Sequence, residues 1–183
     1  MTESVHHSPM LYRLMTAEFG IRDFLHPPER VLSAAGLRPG MTVLDFGCGP
    51  GGFAVAAARM AGPAGRVYAV DIHPLALESV RRRARKHTLG TLRVLHGDDL
   101  AEIGEGTVDL ALLYDVLHEI DGPEAVLARL RRILKGTGAL SVRDHRLRPE
   151  TIADRITAGG LFHRTGGGRG LQCFAPVPAE GLP

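Results

Sequence analysis

Residues 43–52, Val-Leu-Asp-Phe-Gly-Cys-Gly-Pro-Gly-Gly, constrain the fold more than any other stretch of this chain. An apolar, β-branched run that reads as a buried strand meets four glycines and a proline within six residues. Directly after them, Phe53 to Ala61 is Ala-rich and helical in character. A strand that turns at once into a helix needs the backbone angles glycine allows, and it leaves room for a ligand to approach the main chain. The N–H groups opening that helix favour a negative group, whether phosphate or carboxylate. The spacing Gly47-x-Gly49-x-x-Gly52 also satisfies the dinucleotide fingerprint, so the glycines alone leave the ligand open.

The rest of the chain repeats the strand–helix rhythm. Met41 to Phe46, Arg66 to Asp71, Leu92 to His96, Val108 to Tyr114 and Ala139 to Val142 read as strands. Helical patterns cover Glu29 to Ala35, Phe53 to Ala61, Pro74 to His87, Gly122 to Leu134 and Pro149 to Ala158. Lys135-Gly136 reads as the close of the fourth helix. Leu161 to Thr165 and Leu171 to Ala175 flank a glycine-rich turn, a hairpin signal. Alternation of this kind predicts an α/β, Rossmann-like, doubly wound and mostly parallel sheet with helices on both faces.

Three acids sharpen the ligand. Asp45 stands two residues before the first glycine, where it suits a cationic amino group. Asp71 ends the second strand about 20 residues beyond the loop, the place for gripping ribose hydroxyls. Asp98 or Asp99 follows the third strand, within reach of an adenine amino group. A cation-binding acid, an anion-binding helix start and two acids for a nucleoside describe a pocket for a zwitterionic amino acid joined to adenosine. S-adenosylmethionine is that ligand, and S-adenosylhomocysteine is its demethylated form.

The stretches VLDFGCGPGG (43–52), RVYAVDIHP (66–74), HGDD (96–99), VDLALLYDVLHEI (108–120) and LKGTGALSVRDH (134–145) resemble the class I S-adenosylmethionine-dependent methyltransferases, in family order and spacing. The likeness covers roughly residues 29 to 176 and is nearest to the small-molecule branch that includes quinone-biosynthesis methyltransferases. It implies seven strands in the order 3-2-1-4-5-7-6, with strand 7 antiparallel. It also implies that Asp45, Gly47, Gly49 and Gly51 line the methionine part of the cofactor, that Asp71 binds ribose and that Ile72 touches adenine. Asp98 and Asp99 would frame the adenine edge, and Tyr114 and Asp115 would lie near the sulfonium. Cys48 belongs to the same lining as a small space-filler rather than a nucleophile.

Methyl transfer from a sulfonium chiefly requires alignment and exclusion of water, with a base only where the acceptor must lose a proton. The ends of strands four and five face one crevice, so Tyr114, Asp115, His118, Glu119, Asp144 and His145 are the candidates. Of these, Tyr114, Asp115 and His118 are taken as catalytic, with His118-Glu119 the first pair to test. Asp115, Asp144 and His145 end neighbouring strands and invite a divalent ion. The register departs from that of catechol-type enzymes, Tyr114 matching their first ligand, and no metal site is expected.

Composition excludes several other classes. Lys+Arg 22 against Asp+Glu 20 gives a net charge of +2, so no strong field draws the chain to nucleic acid, and the Arg81–Lys86 run reads as a solvated helix face. No apolar run approaches the roughly 18–20 residues of a membrane span, and Met1 to His7 lacks the pattern of a secretory signal. Two cysteines make neither a disulfide framework nor a four-thiolate zinc site, which favours a cytoplasmic setting. A small-molecule acceptor and a homodimer are the expected partners. Residues 1–26 form an N-terminal helical segment in this reading, with Tyr12, Met15, Phe19 and Phe24 as a movable cover, and 27–183 the methyltransferase domain. The competing readings are a non-catalytic cofactor-binding subunit and an NAD-dependent oxidoreductase; no substrate domain follows the glycine turn, which disfavours the second.

Overall fold

The computed structural model describes residues 27–168 and 170–178. The expected N-terminal cover, residues 1–26, lies outside the described residues. Helix α1 (Pro28–Ala34) leads into strand β1 (Thr42–Phe46), α2 (Gly52–Ala61), β2 (Arg66–Asp71), α3 (Pro74–Lys86) and β3 (Leu92–His96). A 3-10 turn (Gly97–Glu102) then connects to β4 (Val108–Tyr114), α4 (Glu124–Ile133), β5 (Leu134–Arg143), α5 (Pro149–Thr157), β6 (Phe162–Gly168) and β7 (Leu171–Pro176). The strands form one sheet in the order β3-β2-β1-β4-β5-β7-β6. All pairings from β3 to β5 are parallel, and β7 runs antiparallel to both β5 and β6.

Alternation along the strands divides the core into two layers. Val43, Val67, Ala69, Leu110, Leu112 and Tyr114 face α1, α2 and α3, where Leu32, Phe53, Ala54 and Val80 meet them. Leu44, Tyr68, Val70, Ala111, Leu113, Leu140 and Val142 face the other way, against Leu127, Leu130, Ile133, Ile152 and Ile156 of α4 and α5. Burial on both faces explains why β4 is almost wholly apolar. Each fully buried leucine here contributes about 1.5–3 kcal/mol. No helix among the described residues is long and apolar enough to cross a membrane.

The structure departs from the expected elements at two places. Helix α4 starts at Glu124 and stops at Ile133, and β5 begins at once with Leu134 rather than at Ala139. Leu134 pairs with Val108 and Ala139 with Leu110, so Lys135 to Gly138 bulge out of register instead of capping a helix. Gly138 is needed there: a Cβ would come within 3.0 Å of the Lys135 and Val108 carbonyls. The second departure is in the hairpin, where the glycine run 166–168 continues β6 rather than forming the turn. Gly167, at φ +144°, lies so close to β7 that a Cβ would strike the Leu171 carbonyl. The connection from β3 to β4, for which no helix is predicted, carries only the 3-10 turn.

Parallel strands place all helix-entering turns at their C-terminal ends, so β1, β2, β4 and β5 open onto a common edge. Gly51, at φ +87°, packs there against α3, with a Cβ predicted only 2.6 Å from Val80 Cγ2. Gly51→Ala therefore combines strain with overpacking and should lose about 2–4 kcal/mol of stability in urea unfolding. Gly36→Ala, at the same φ with nothing within 4 Å, should lose only about 1–2 kcal/mol. Equal losses would show that contact with α3 is not what selects glycine at position 51.

Candidate active site

The glycine turn is held from β2. The N–H groups of Gly47 and Cys48 donate to the Val70 carbonyl at 2.8 and 2.9 Å. Gly49 N–H donates to Asp71 Oδ2 at 2.8 Å, and His73 N–H to Asp71 Oδ1 at 2.8 Å. One carboxylate thus joins the turn to the start of α3, whose N-cap His73 accepts from Leu75 N–H. Gly47 packs on Val116, with a Cβ position 2.6 Å from Cγ2, which ties the segment after β4 to the turn. Gly49, at φ +50°, has nothing within 4 Å of its Cβ position, so its backbone is bare toward the crevice.

Around that bare surface lie the other predicted binding residues. Asp45 is 2% exposed near the end of β1. Cys48 is buried, and burial, with the negative Asp45 and Asp71 adding to it, pushes its thiol far up and keeps it neutral. Ile72 is the opposite, 76% exposed, and Gly97 backs it closely, a Cβ there reaching to 2.7 Å from Ile72 Cγ2. Asp99 is exposed on the 3-10 turn, whereas the side chain of Asp98 lies outside the described residues. A buried acid, a bare turn, an acid at the end of β2 and an apolar side chain held out in solvent suit a ligand with amino-acid and nucleoside ends.

The ends of β4 and β5 are cross-linked by two carboxylate–imidazole pairs. Asp144, at the β5 end, accepts His118 N–H at 3.0 Å and Arg146 N–H at 2.9 Å, and lies 2.9 Å from His118 Nδ1. Asp115, at the β4 end, accepts His145 N–H at 3.1 Å and lies 3.0 Å from His145 Nδ1. The His118 and His145 rings meet edge-on with centroids 5.8 Å apart. A carboxylate only accepts, so neutral His118 carries its proton on Nδ1 and its lone pair on Nε2. Burial alone would raise the Asp144 pKa; hydrogen bonds from the His118 ring, Arg146 N–H and His118 N–H outweigh it and hold the carboxyl below its ordinary value. Asp115, Asp144 and His145 also bring one ligand atom each within 4.8 Å of one another, so the geometry of a cation cluster is present although none was expected.

Two expectations about partners change. His118 is paired with Asp144, 26 residues away, whereas Glu119 is 59% exposed and 3.6 Å from His118 Nε2. Only the adjacency of β4 and β5 brings the true partner near, and local spacing carries no sign of it. Tyr114 points into the first core layer, with its hydroxyl 2.8 Å from Ser141 Oγ and its ring edge-on to Phe53 at 4.8 Å. Burial raises its pKa further, with Asp45 adding to that, and the Ser141 hydrogen bond opposes only in part. Tyr114 is therefore buried in the first core layer with its proton retained.

The family described as "Methyltransferase domain" matches residues 37–167. The chain belongs to the class I S-adenosylmethionine-dependent methyltransferases. It is similar to the ubiquinone/menaquinone biosynthesis C-methyltransferase of Cupriavidus taiwanensis, 33% identical over 111 residues that cover 61% of this chain and 46% of that protein. The nocamycin O-methyltransferase of Saccharothrix syringae is 30% identical over 124 residues, 67% of this chain and 44% of that protein. The chain thus matches less than half the length of either relative. A solved SAM-dependent methyltransferase from Aquifex aeolicus superposes with a TM-score of 0.73 at 26% identity, covering 86% of this chain and 93% of that one. Methyltransferases of this class take S-adenosylmethionine as cofactor, in agreement with the donor set of the glycine crevice.

Asp144→Asn keeps the shape of the side chain and removes its charge. The charge-assisted bonds it loses amount to about 1–3 kcal/mol of stability at pH 7. A depressed folded-state pKa stabilises above the unfolded carboxyl value near 4, and that contribution fades as pH falls through the folded value. The stability difference between wild type and Asp144→Asn in urea titrations should be full at neutrality and shrink below about pH 4. A difference that grows on acidification would contradict the pairing.

Proposed function

We propose that the chain transfers the methyl group of S-adenosylmethionine to a small-molecule acceptor that must lose a proton, with His118 as the base. The observation that carries this is the buried Asp144 carboxylate on His118 Nδ1, two residues from the Val116 contact with the glycine turn. When bound, the cofactor supplies a methyl group already activated on a sulfonium. In this reading Asp45 receives the ammonium, the turn of Gly47, Cys48, Gly49 and Gly51 lines the methionine part, and the N–H groups at the start of α2 receive the carboxylate. Each Asp71 oxygen accepts one N–H and retains a second lone pair for a ribose hydroxyl. Ile72 supports one adenine face, with Asp99 or Asp98 at its edge.

His118 takes the acceptor's proton at Nε2, and Asp144 holds the ring in the required tautomer and stabilises the imidazolium that forms. Asp144 is a positioning residue here. Asp115 acts on the acceptor side through His145. The names of the two relatives support an acceptor of this kind, one an O-methyltransferase and one a C-methyltransferase. Oxygen and carbon acceptors both shed a proton on methylation. The reading takes the assembly to be a homodimer at work in the cytoplasm.

Two variants test the roles separately. Asp71→Asn should weaken S-adenosylhomocysteine in calorimetry by about ten- to a hundredfold, the equivalent of one charge-assisted bond. His118→Gln should bind that product as wild type does. Its transfer of labelled methyl to a panel of phenols, enols and thiols should fall by about 10²–10⁴-fold. Full transfer activity in His118→Gln would refute the base, and wild-type protein without affinity for S-adenosylhomocysteine would refute the function.

A further inference from the structure

Opposite the crevice, at the N-terminal ends of β1, β2 and β3, the sheet carries polar side chains on a face that the rest of the fold keeps apolar. Register pairs Thr42 with Arg66 and Tyr68 with Arg93. Side chains two apart share a face, so Thr42, Arg66 and Arg93 stand on the side of Leu44 and Tyr68, where the second core layer lies. The connection that leaves β3 contributes Leu100 and Ile103 to that layer and carries no α-helix. A cavity of about 350 Å³ opens at the strand starts, lined by Thr42, Gly65, Arg66, Gly90, Thr91 and Arg93 among others.

Neither guanidinium has an ion pair or hydrogen bond among the described residues, and neither threonine hydroxyl has a partner there. Asp109, beside Thr42, is neutralised: its carboxylate accepts Thr42 N–H at 2.8 Å and Lys135 Nζ at 2.6 Å. Gly90 leaves open space, with nothing within 4 Å of a Cβ. Arg66 and Arg93 are exposed at the mouth of the cavity, while Thr42 and Thr91 are half-buried; two cations from neighbouring strands and two hydroxyls able to donate thus share one open concavity.

We propose that this cavity is a second binding site, for a small molecule with a compact doubly charged oxyanion head, phosphate or dicarboxylate. Arg66 and Arg93 grip the head from two strands, planar forks being well matched to oxyanions. Thr42 and Thr91 donate the remaining hydrogen bonds. The volume lies at the lower end for ligand pockets and admits more than a bare ion. The site is separate from the methyl-transfer crevice, because β2 alone, at six residues, puts about 20 Å between them.

Amide spectra of the full chain test this with potassium phosphate and potassium malonate titrated in parallel, against potassium chloride at matched ionic strength. The amides of Thr42, Gly65, Gly90 and Thr91 should shift saturably with phosphate, with malonate, or with both, and the stronger of the two identifies the head group. Arg66→Gln and Arg93→Gln should each weaken that response by about tenfold or more while leaving the thermal midpoint unchanged. The site is overturned if the shifts are linear and match chloride. It is equally overturned if they saturate around Arg81 to Lys86 instead, or if both variants respond like wild type.

Discussion

A single carboxylate, that of Asp71, sets the shape on which the crevice depends. It receives Gly49 N–H on one oxygen and His73 N–H on the other, both at 2.8 Å. That bridge adds to the bonds from Gly47 and Cys48 to the Val70 carbonyl and to the Gly51 contact with Val80 in fixing the turn against the start of α3. With it, the backbone of Gly49 is presented bare, Ile72 is held out against Gly97, and the buried Asp45 lies behind the turn. The same carboxylate can serve both the turn and a ligand. A carboxylate has about four acceptor sites, so capping two N–H groups leaves capacity for two hydroxyls.

The second organising device lies one strand over. Asp115 and Asp144 each bind the histidine that follows the other's strand, so the loops after β4 and β5 are laced to each other. Buried carboxylates need such partners, since an unpaired charge in the same position is strongly destabilising. The lacing orients His118 with its Nδ1 occupied and its Nε2 available, the arrangement a proton acceptor requires. Three of these four residues, Asp115, Asp144 and His145, also bring ligand atoms within reach of one cation.

Much of the fold was legible because its signals are local. Apolar β-branched runs, the glycine turn and Asp71 each carry their meaning within a few residues, and the strand order followed from the resemblance. What stayed hidden depends on neighbours distant in the chain. Asp144 is paired with His118 only because β4 and β5 are adjacent, whereas Glu119, the acid next in sequence, is exposed. Lys135-Gly136 looked like a helix stop because a bulge beside Val108 leaves no periodic trace. Gly166 to Gly168 looked like a turn because close approach of two backbones selects glycine as strongly as a turn does. Arg66 and Arg93 share a face only through the β2–β3 register, which leaves no local trace in the sequence.

The central claim is that the Asp71-anchored turn is the cofactor's cradle. The most direct measurement follows backbone amide resonances of the full chain during titration with S-adenosylhomocysteine. The account predicts saturable one-to-one shifts concentrated at Gly49, Ile72 and Gly97, with those of β6 and β7 unmoved. Shifts absent from Gly49 and Ile72 at saturation, or centred on another part of the sheet, would contradict it.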